Sequence, residues 1–135
     1  MLSLGVTDPI AVVVSALAGF LLGAVWYSRV LFGEPWTKAL GKSREDLSGP
    51  VLPMAVSLIG ALITALALSL TIRAFGVDTA LGGTAVGLLV GVCFVATNMI
   101  SNSLFAGSPL GLYLIDAGYR VVFTGVMGTI LGAWR

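Results

Sequence analysis

The chain has no histidine, one cysteine and little charge: only 10% of its 135 residues are Asp, Glu, Lys or Arg. A soluble domain carries about 25% charged residues. Without histidine, imidazole metal sites and imidazole acid–base catalysis are excluded. Cys93 alone forms neither an intrachain disulfide nor a thiolate zinc site. Net charge is +1, with no basic run and no glycine-rich phosphate loop. Nucleic-acid and nucleotide binding therefore have no support. No cofactor, no metal and no catalytic residue is indicated.

What is present is apolar. Hydrophobic residues make up 58% of the chain, and mean hydropathy is +1.06. The 18 glycines and 5 prolines are tolerated in membrane helices, where neighbours re-satisfy the backbone. Charges punctuate the chain. Asp8 is followed by uncharged sequence up to Arg29, Val51 to Ile72 is uncharged, and so is Thr79 to Ile115. The last stretch is too long for one helix and is broken by Gly107, Ser108, Pro109 and Gly111. A span takes about 20 apolar residues. The pattern predicts an all-α integral membrane bundle of four helices over 9–28, 51–72, 80–102 and 110–134, with 1–135 as a single domain. The runs are continuous and far too long for strands. No span has a charge at its centre, and none is visibly broken there. Gly76 is the expected stop of the second helix. Ala16-Leu17-Ala18 fits a signal-peptidase pattern, but no Lys or Arg precedes it and the apolar run continues, so the first span is expected to be retained.

Each span carries small residues at every fourth position: Ala11, Ser15, Gly19 and Gly23; Ser57, Ala61, Ala65 and Ser69; Gly83, Gly87 and Gly91; Thr124, Gly128 and Gly132. Residues four apart share a helix face. Lipid supplies no hydrophobic drive between helices, so close backbone approach must hold them together. Packing inside the bundle and a homo-oligomer face are both open to these stripes.

Polar residues collect at one end. The first ladder extends to Tyr27, beside Trp26, Ser28 and Arg29. The third, extended by a heptad, reaches Asn98, with Asn102 one turn on. The fourth runs back to Arg120 and then Asp116. All are expected on inward faces, which makes Tyr27, Arg29, Asn98, Asn102, Asp116 and Arg120 the candidate ligand-binding residues. Asp116 and Arg120, four apart, are placed for an ion pair along the helix. They equally suit an anion anchor, Arg120, held in orientation by Asp116. Asn98 and Asn102 also suit interhelical hydrogen bonds. Trp26, Trp36, Tyr113 and Trp134 suit aromatic belts at the membrane interfaces. Glu34-Pro35-Trp36 reads as a helix start, and Ser43-x-x-Asp46 as a weaker capping pattern. Short surface helices in the first loop are expected to turn Trp36 and Leu40 toward lipid.

These residues carry a resemblance. Gly23-x-x-Trp26-Tyr27-Ser28-x-x-x-Phe32-Gly33-x-x-Trp36 resembles the opening signature of a bacterial membrane family, domain of unknown function 1761. Asp116-x-x-Tyr119-Arg120, followed by Val126-Met127-Gly128 and Gly132-Ala133-Trp134, is similar to that family's last helix. The resemblance implies a small four-helix bacterial membrane protein and brings no established activity with it.

Two functional classes follow. One is binding or transport of a small molecule, ion or lipid headgroup at the polar end. The other is a structural or accessory subunit packed against a larger membrane complex. An enzyme has least support, since no base–nucleophile pair or metal cluster is visible. The bilayer is the expected surrounding, with a homo-oligomer or larger complex as possible partners. Arg29, Lys38, Lys42 and Arg44 lie on one side of the membrane and Arg73 and Arg135 on the other. The positive-inside rule then puts the 29–50 loop in the cytoplasm of a bacterial inner membrane and both termini outside. In a Cys93→Ala background, Ser43→Cys should resist an impermeant thiol reagent applied to intact cells. Labelling from outside would reverse the orientation.

Overall fold

The computed structural model describes residues 8–28, 31–40 and 51–134. The elements are α1 (Pro9–Trp26), α2 (Gly33–Leu40), α3 (Val51–Ala74), α4 (Ala80–Val90), a π-helical segment (Gly91–Ala96), α5 (Thr97–Phe105) and α6 (Leu110–Ala133). Four helices are long and apolar enough to cross a membrane, with α4, the π segment and α5 forming one continuous span, Ala80–Phe105. The chain is an all-α membrane bundle, and its spans end within about three residues of the boundaries read from charge and hydropathy. Arg29, the Ser43-x-x-Asp46 pattern and the Leu40 side chain lie outside the described residues.

Local chemistry sets the ends of the helices. Asp8 caps α1 by accepting from the Ile10 N–H at 2.9 Å, with Pro9 at the first helical position. The other Asp8 oxygen accepts from the Trp134 indole at 2.8 Å, which ties the end of α6 to the start of α1. These bonds, the indole first, hold the Asp8 carboxyl below its ordinary value. Gly76 closes the turn after α3 at φ +68° and Gly107 the turn before α6 at φ +70°, a conformation that favours glycine. Thr79 caps α4 by accepting from the Gly82 N–H at 3.0 Å.

Helix α6 is the hub. On one side α4 lies against it at backbone distance. A Cβ added at Gly83 would run into the Gly128 carbonyl, and one at Gly87 into the Thr124 carbonyl. Conversely, a Cβ at Gly128 would meet the Gly83 carbonyl and one at Gly132 the Thr79 carbonyl. The Thr84 and Thr129 hydroxyls bond across the same seam. On its other side α6 sends aromatic rings into glycine seats on α1. A Cβ at Gly19 would lie 2.5 Å from the Phe123 ring, and one at Gly23 2.8 Å from the Tyr119 hydroxyl. Helix α3 contributes Ala61, Ala65, Leu68, Ser69 and Ile72 to the core with Ala11, Val12, Ala16, Met127 and Leu131. Its first turns, from Val51 to Ser57, are exposed. The bundle is thus closed at the Ile72 end and open at the Tyr27 end.

The third span departs from the expected unbroken helix. Its centre, Gly91–Ala96, is π-helical. One extra residue per turn rotates everything beyond it by about 100° relative to the expected face. The heptad step from Gly91 to Asn98 fails for this reason. Met99 faces the bundle's cavity instead, and Asn98 is exposed. Side chains supply donors to the carbonyls of this segment: Thr97 to Cys93, Asn98 to Phe94, and the Tyr113 hydroxyl to Ala96 at 2.9 Å.

The α4–α6 seam makes a sharp prediction. Gly87→Ala and Gly128→Ala should each destabilise the purified protein by about 1–3 kcal/mol, the cost of overpacking a tight contact. Gly60 has nothing within 4 Å of an added Cβ, so Gly60→Ala should be neutral or better, since Ala exceeds Gly in helix propensity by up to about 1 kcal/mol. Thermal unfolding in detergent reads the difference. Equal midpoints for all three variants would contradict the seam.

Candidate functional site

The open end is built by α1, α2 and α6. After α1 the chain reverses tightly, with the Phe32 N–H on the Trp26 carbonyl at 3.0 Å and the Gly33 N–H on the Ser28 carbonyl at 2.8 Å. Gly33 is buried at this bend. The reversal stacks Phe32, just before α2, and Trp36 of α2 on the end of α1. Phe32 lies 4.7 Å from Trp26 and Trp36 4.8 Å from Tyr27, centroid to centroid. Trp36 therefore turns onto Tyr27, where the sequence pattern had it facing lipid. The cause is the bend at Phe32–Gly33, which sets the face of α2 before its own amphipathicity acts.

Helix α6 meets this cluster with its polar residues. The Tyr27 hydroxyl donates to Asp116 Oδ1 at 2.7 Å. The Trp26 indole donates to the Ile115 carbonyl at 3.1 Å, and the Tyr119 hydroxyl donates to the Gly19 carbonyl, also at 3.1 Å. Tyr119 continues the ring series, 5.5 Å from Tyr27 and 5.5 Å from Phe123. Arg120 forms no ion pair among the described residues. Its guanidinium lies 5.2 Å from the Tyr119 ring centroid and 5.8 Å from that of Phe123. Such placements are worth about 0.5–2 kcal/mol, more as water is excluded. The expected Asp116–Arg120 pair is thus replaced by two separate arrangements. Asp116 is taken by Tyr27, and Arg120 is drawn over the rings.

Two cavities flank these residues. The larger, about 500 Å³, is a groove between α1, α3 and α6. Its walls are Phe20, Gly23 and Ala24 on α1, Met54, Ser57 and Ala61 on α3, and Phe123 on α6. Tyr27, Trp36, Tyr119 and Arg120 stand at its polar side. The smaller, about 160 Å³, lies between α5 and α6, where Asn102, Ser103, Ser108, Tyr113 and Asp116 line it over Met99 and Leu112.

The two stretches that carried the family resemblance are the ones that meet here. The model of the family described as "Protein of unknown function (DUF1761)" matches residues 10–132. The chain belongs to this family. No curated protein and no solved structure matches it. In this DUF1761 chain the first motif supplies Gly23, Trp26, Tyr27, Phe32, Gly33 and Trp36, and the second supplies Asp116, Tyr119 and Arg120, to one cluster.

Of the sequence candidates, Tyr27, Asp116 and Arg120 come together and Asn102 joins them through the smaller cavity. Asn98 does not, because its amide turns back to the Phe94 carbonyl. Arg29 lies outside the described residues. Among the belt candidates, Trp26, Tyr113 and Trp134 each donate to a protein oxygen. The α3 wall of the groove had no sequence signal beyond its small residues at Ser57 and Ala61. Among the described residues no three His, Cys, Asp or Glu side chains gather to hold a metal, and Cys93 is exposed.

Double-mutant cycles test who holds Asp116. Tyr27→Phe combined with Asp116→Ala should show a coupling of about 0.6–1.7 kcal/mol, the range for hydrogen bonds between membrane helices. Arg120→Gln combined with Asp116→Ala should show almost none. Unfolding free energies in detergent give both values, and a larger coupling to Arg120 would refute the assignment.

Proposed function

We propose that this protein binds the anionic part of a membrane-dissolved amphiphile in the groove between α1, α3 and α6, with Arg120 as its anchor. The carrying observation is the placement of Arg120. Its guanidinium rests on two aromatic rings at the edge of an apolar-walled cavity of about 500 Å³. That volume falls within the range of about 300–1,000 Å³ for small-molecule sites. Helix α1 has 18 residues and so spans about 27 Å, close to the thickness of the hydrocarbon core. Its Trp26 end therefore marks one face of the membrane. Asp116 bonds Tyr27 at that face, and Arg120 lies one turn, about 6 Å, deeper.

A cation at that depth is costly and marks a functional site by default. An anion brought by a lipid-like molecule neutralises it, while the alkyl part lies against Phe20, Met54 and Ala61. We place this end in the cytoplasm of a bacterial inner membrane, on the distribution of Lys and Arg between the loops.

Native mass spectrometry of the purified protein tests the anchor. Offered equal amounts of dioleoyl phosphatidylglycerol and uncharged dioleoylglycerol, the protein should retain the phosphate-bearing lipid. Arg120→Gln should lower that retention about tenfold, the loss of one charge-assisted contact. Arg120→Lys should restore part of it. Unchanged retention in a folded Arg120→Gln protein would refute the proposal.

A further inference from the structure

The smaller cavity has a chemistry opposite to that of the groove. Asp116 supplies a carboxylate, and Asn102, Ser103 and Ser108 add an amide and two hydroxyls. Among the described residues no Lys or Arg lines it. Such a set of oxygen-bearing groups around one negative charge suits a small cation with N–H donors. Its volume of about 160 Å³ exceeds several times the roughly 30 Å³ share of a water molecule in the liquid. A compact headgroup therefore fits.

The Tyr27–Asp116 hydrogen bond links the linings of the two cavities. Tyr27 lines the groove and Asp116 the smaller cavity. Asp116 and Arg120 are four residues apart on α6 and project from nearly the same face. Their order along the helix is fixed: Arg120 lies deeper, and Asp116 about 6 Å nearer the membrane surface. From the bilayer interior outward, the protein thus presents an apolar groove, then a cation, then an anion. A phospholipid with an amino headgroup presents the matching order of alkyl chains, phosphate and terminal ammonium.

We infer that the ligand class of the site is a zwitterionic aminophospholipid, with its phosphate on Arg120, its primary ammonium in the Asp116–Asn102–Ser108 cavity and an acyl chain along the groove. This rests on the anion-anchor role of Arg120 given above and adds the second charge. The groove opens between membrane helices, so the ligand is taken to be the lipid and not its free headgroup.

The test is a competition in native mass spectrometry. The purified protein is offered equal dioleoyl phosphatidylethanolamine and dioleoyl phosphatidylglycerol, which share chains and phosphate and differ in the ammonium. Wild type should prefer the ethanolamine lipid about tenfold, one charge-assisted contact. Asp116→Asn, which keeps an oxygen acceptor for Tyr27, should bring the ratio to parity. Asn102→Leu, at an exposed position, should reduce the preference and serves if Asp116→Asn does not fold. Both lipids should still depend on Arg120.

Parity or a glycerol preference in wild type, with Arg120 dependence intact, overturns the ammonium assignment and leaves the anchor standing. Loss of Arg120 dependence for both lipids overturns the anchor itself. Survival of the ethanolamine preference in folded Asp116→Asn and Asn102→Leu proteins overturns the assignment of the smaller cavity. Displacement of the lipid by millimolar free phosphoethanolamine overturns the role of the acyl chain.

Discussion

The backbone contact between α4 and α6 is the constraint on which the rest depends. In lipid, two apolar helices gain nothing from leaving solvent, so association rests on how closely their backbones approach. Gly83, Gly87, Gly128 and Gly132 permit that approach, and no side chain could occupy their places. Because α6 is fixed along this seam, its opposite face is fixed as well. Tyr119 and Phe123 are thereby aimed at Gly23 and Gly19 of α1. A helix held by glycine on one side thus places bulky rings on the other, and those rings carry Arg120.

The same constraint explains why the bundle opens at one end. Small residues bring α1, α3 and α6 together around Ala16, Ala65 and Met127, all fully buried. Toward Tyr27 the ring series from Trp36 to Phe123 takes the space between helices. Helix α3 is held away there, and its first turns stay exposed. The groove is the gap between a wall of rings and a displaced helix. Its polar side comes from Tyr27 after α1 and from Tyr119 and Arg120 on α6, which line it.

Much of this was legible in the sequence. Runs without charge marked the spans, because a charge inside the hydrocarbon core is expensive and charges therefore gather at the ends. Spacing by four placed Gly83 and Gly87 on one stripe and Gly128 and Gly132 on another. The same spacing took Tyr27, Asp116 and Arg120 to one end. Regular helical periodicity misplaces Asn98 because Gly91–Ala96 is π-helical. Thr97, Asn98 and Tyr113 donate to carbonyls of that segment, and Tyr113 lies on another helix. Amphipathicity alone misdirects Trp36 for a similar reason, since the bend at Gly33 and the partner ring of Tyr27 set its direction. The i,i+4 spacing of Asp116 and Arg120 suggested a pair, but spacing does not reveal competing partners. Tyr27, just past the end of α1, and two rings on α6 are the stronger claims.

The central claim is that Arg120 meets a lipid phosphate at the polar edge of the α1–α3–α6 groove. Determination of the structure in lipid nanodiscs tests it most directly. The account predicts acyl-chain density between Phe20, Met54 and Ala61, continuous with a phosphate about 2.7–2.9 Å from the Arg120 guanidinium. A groove closed by α3 packing along its full length on α1, with Arg120 paired to an acidic side chain, would contradict it.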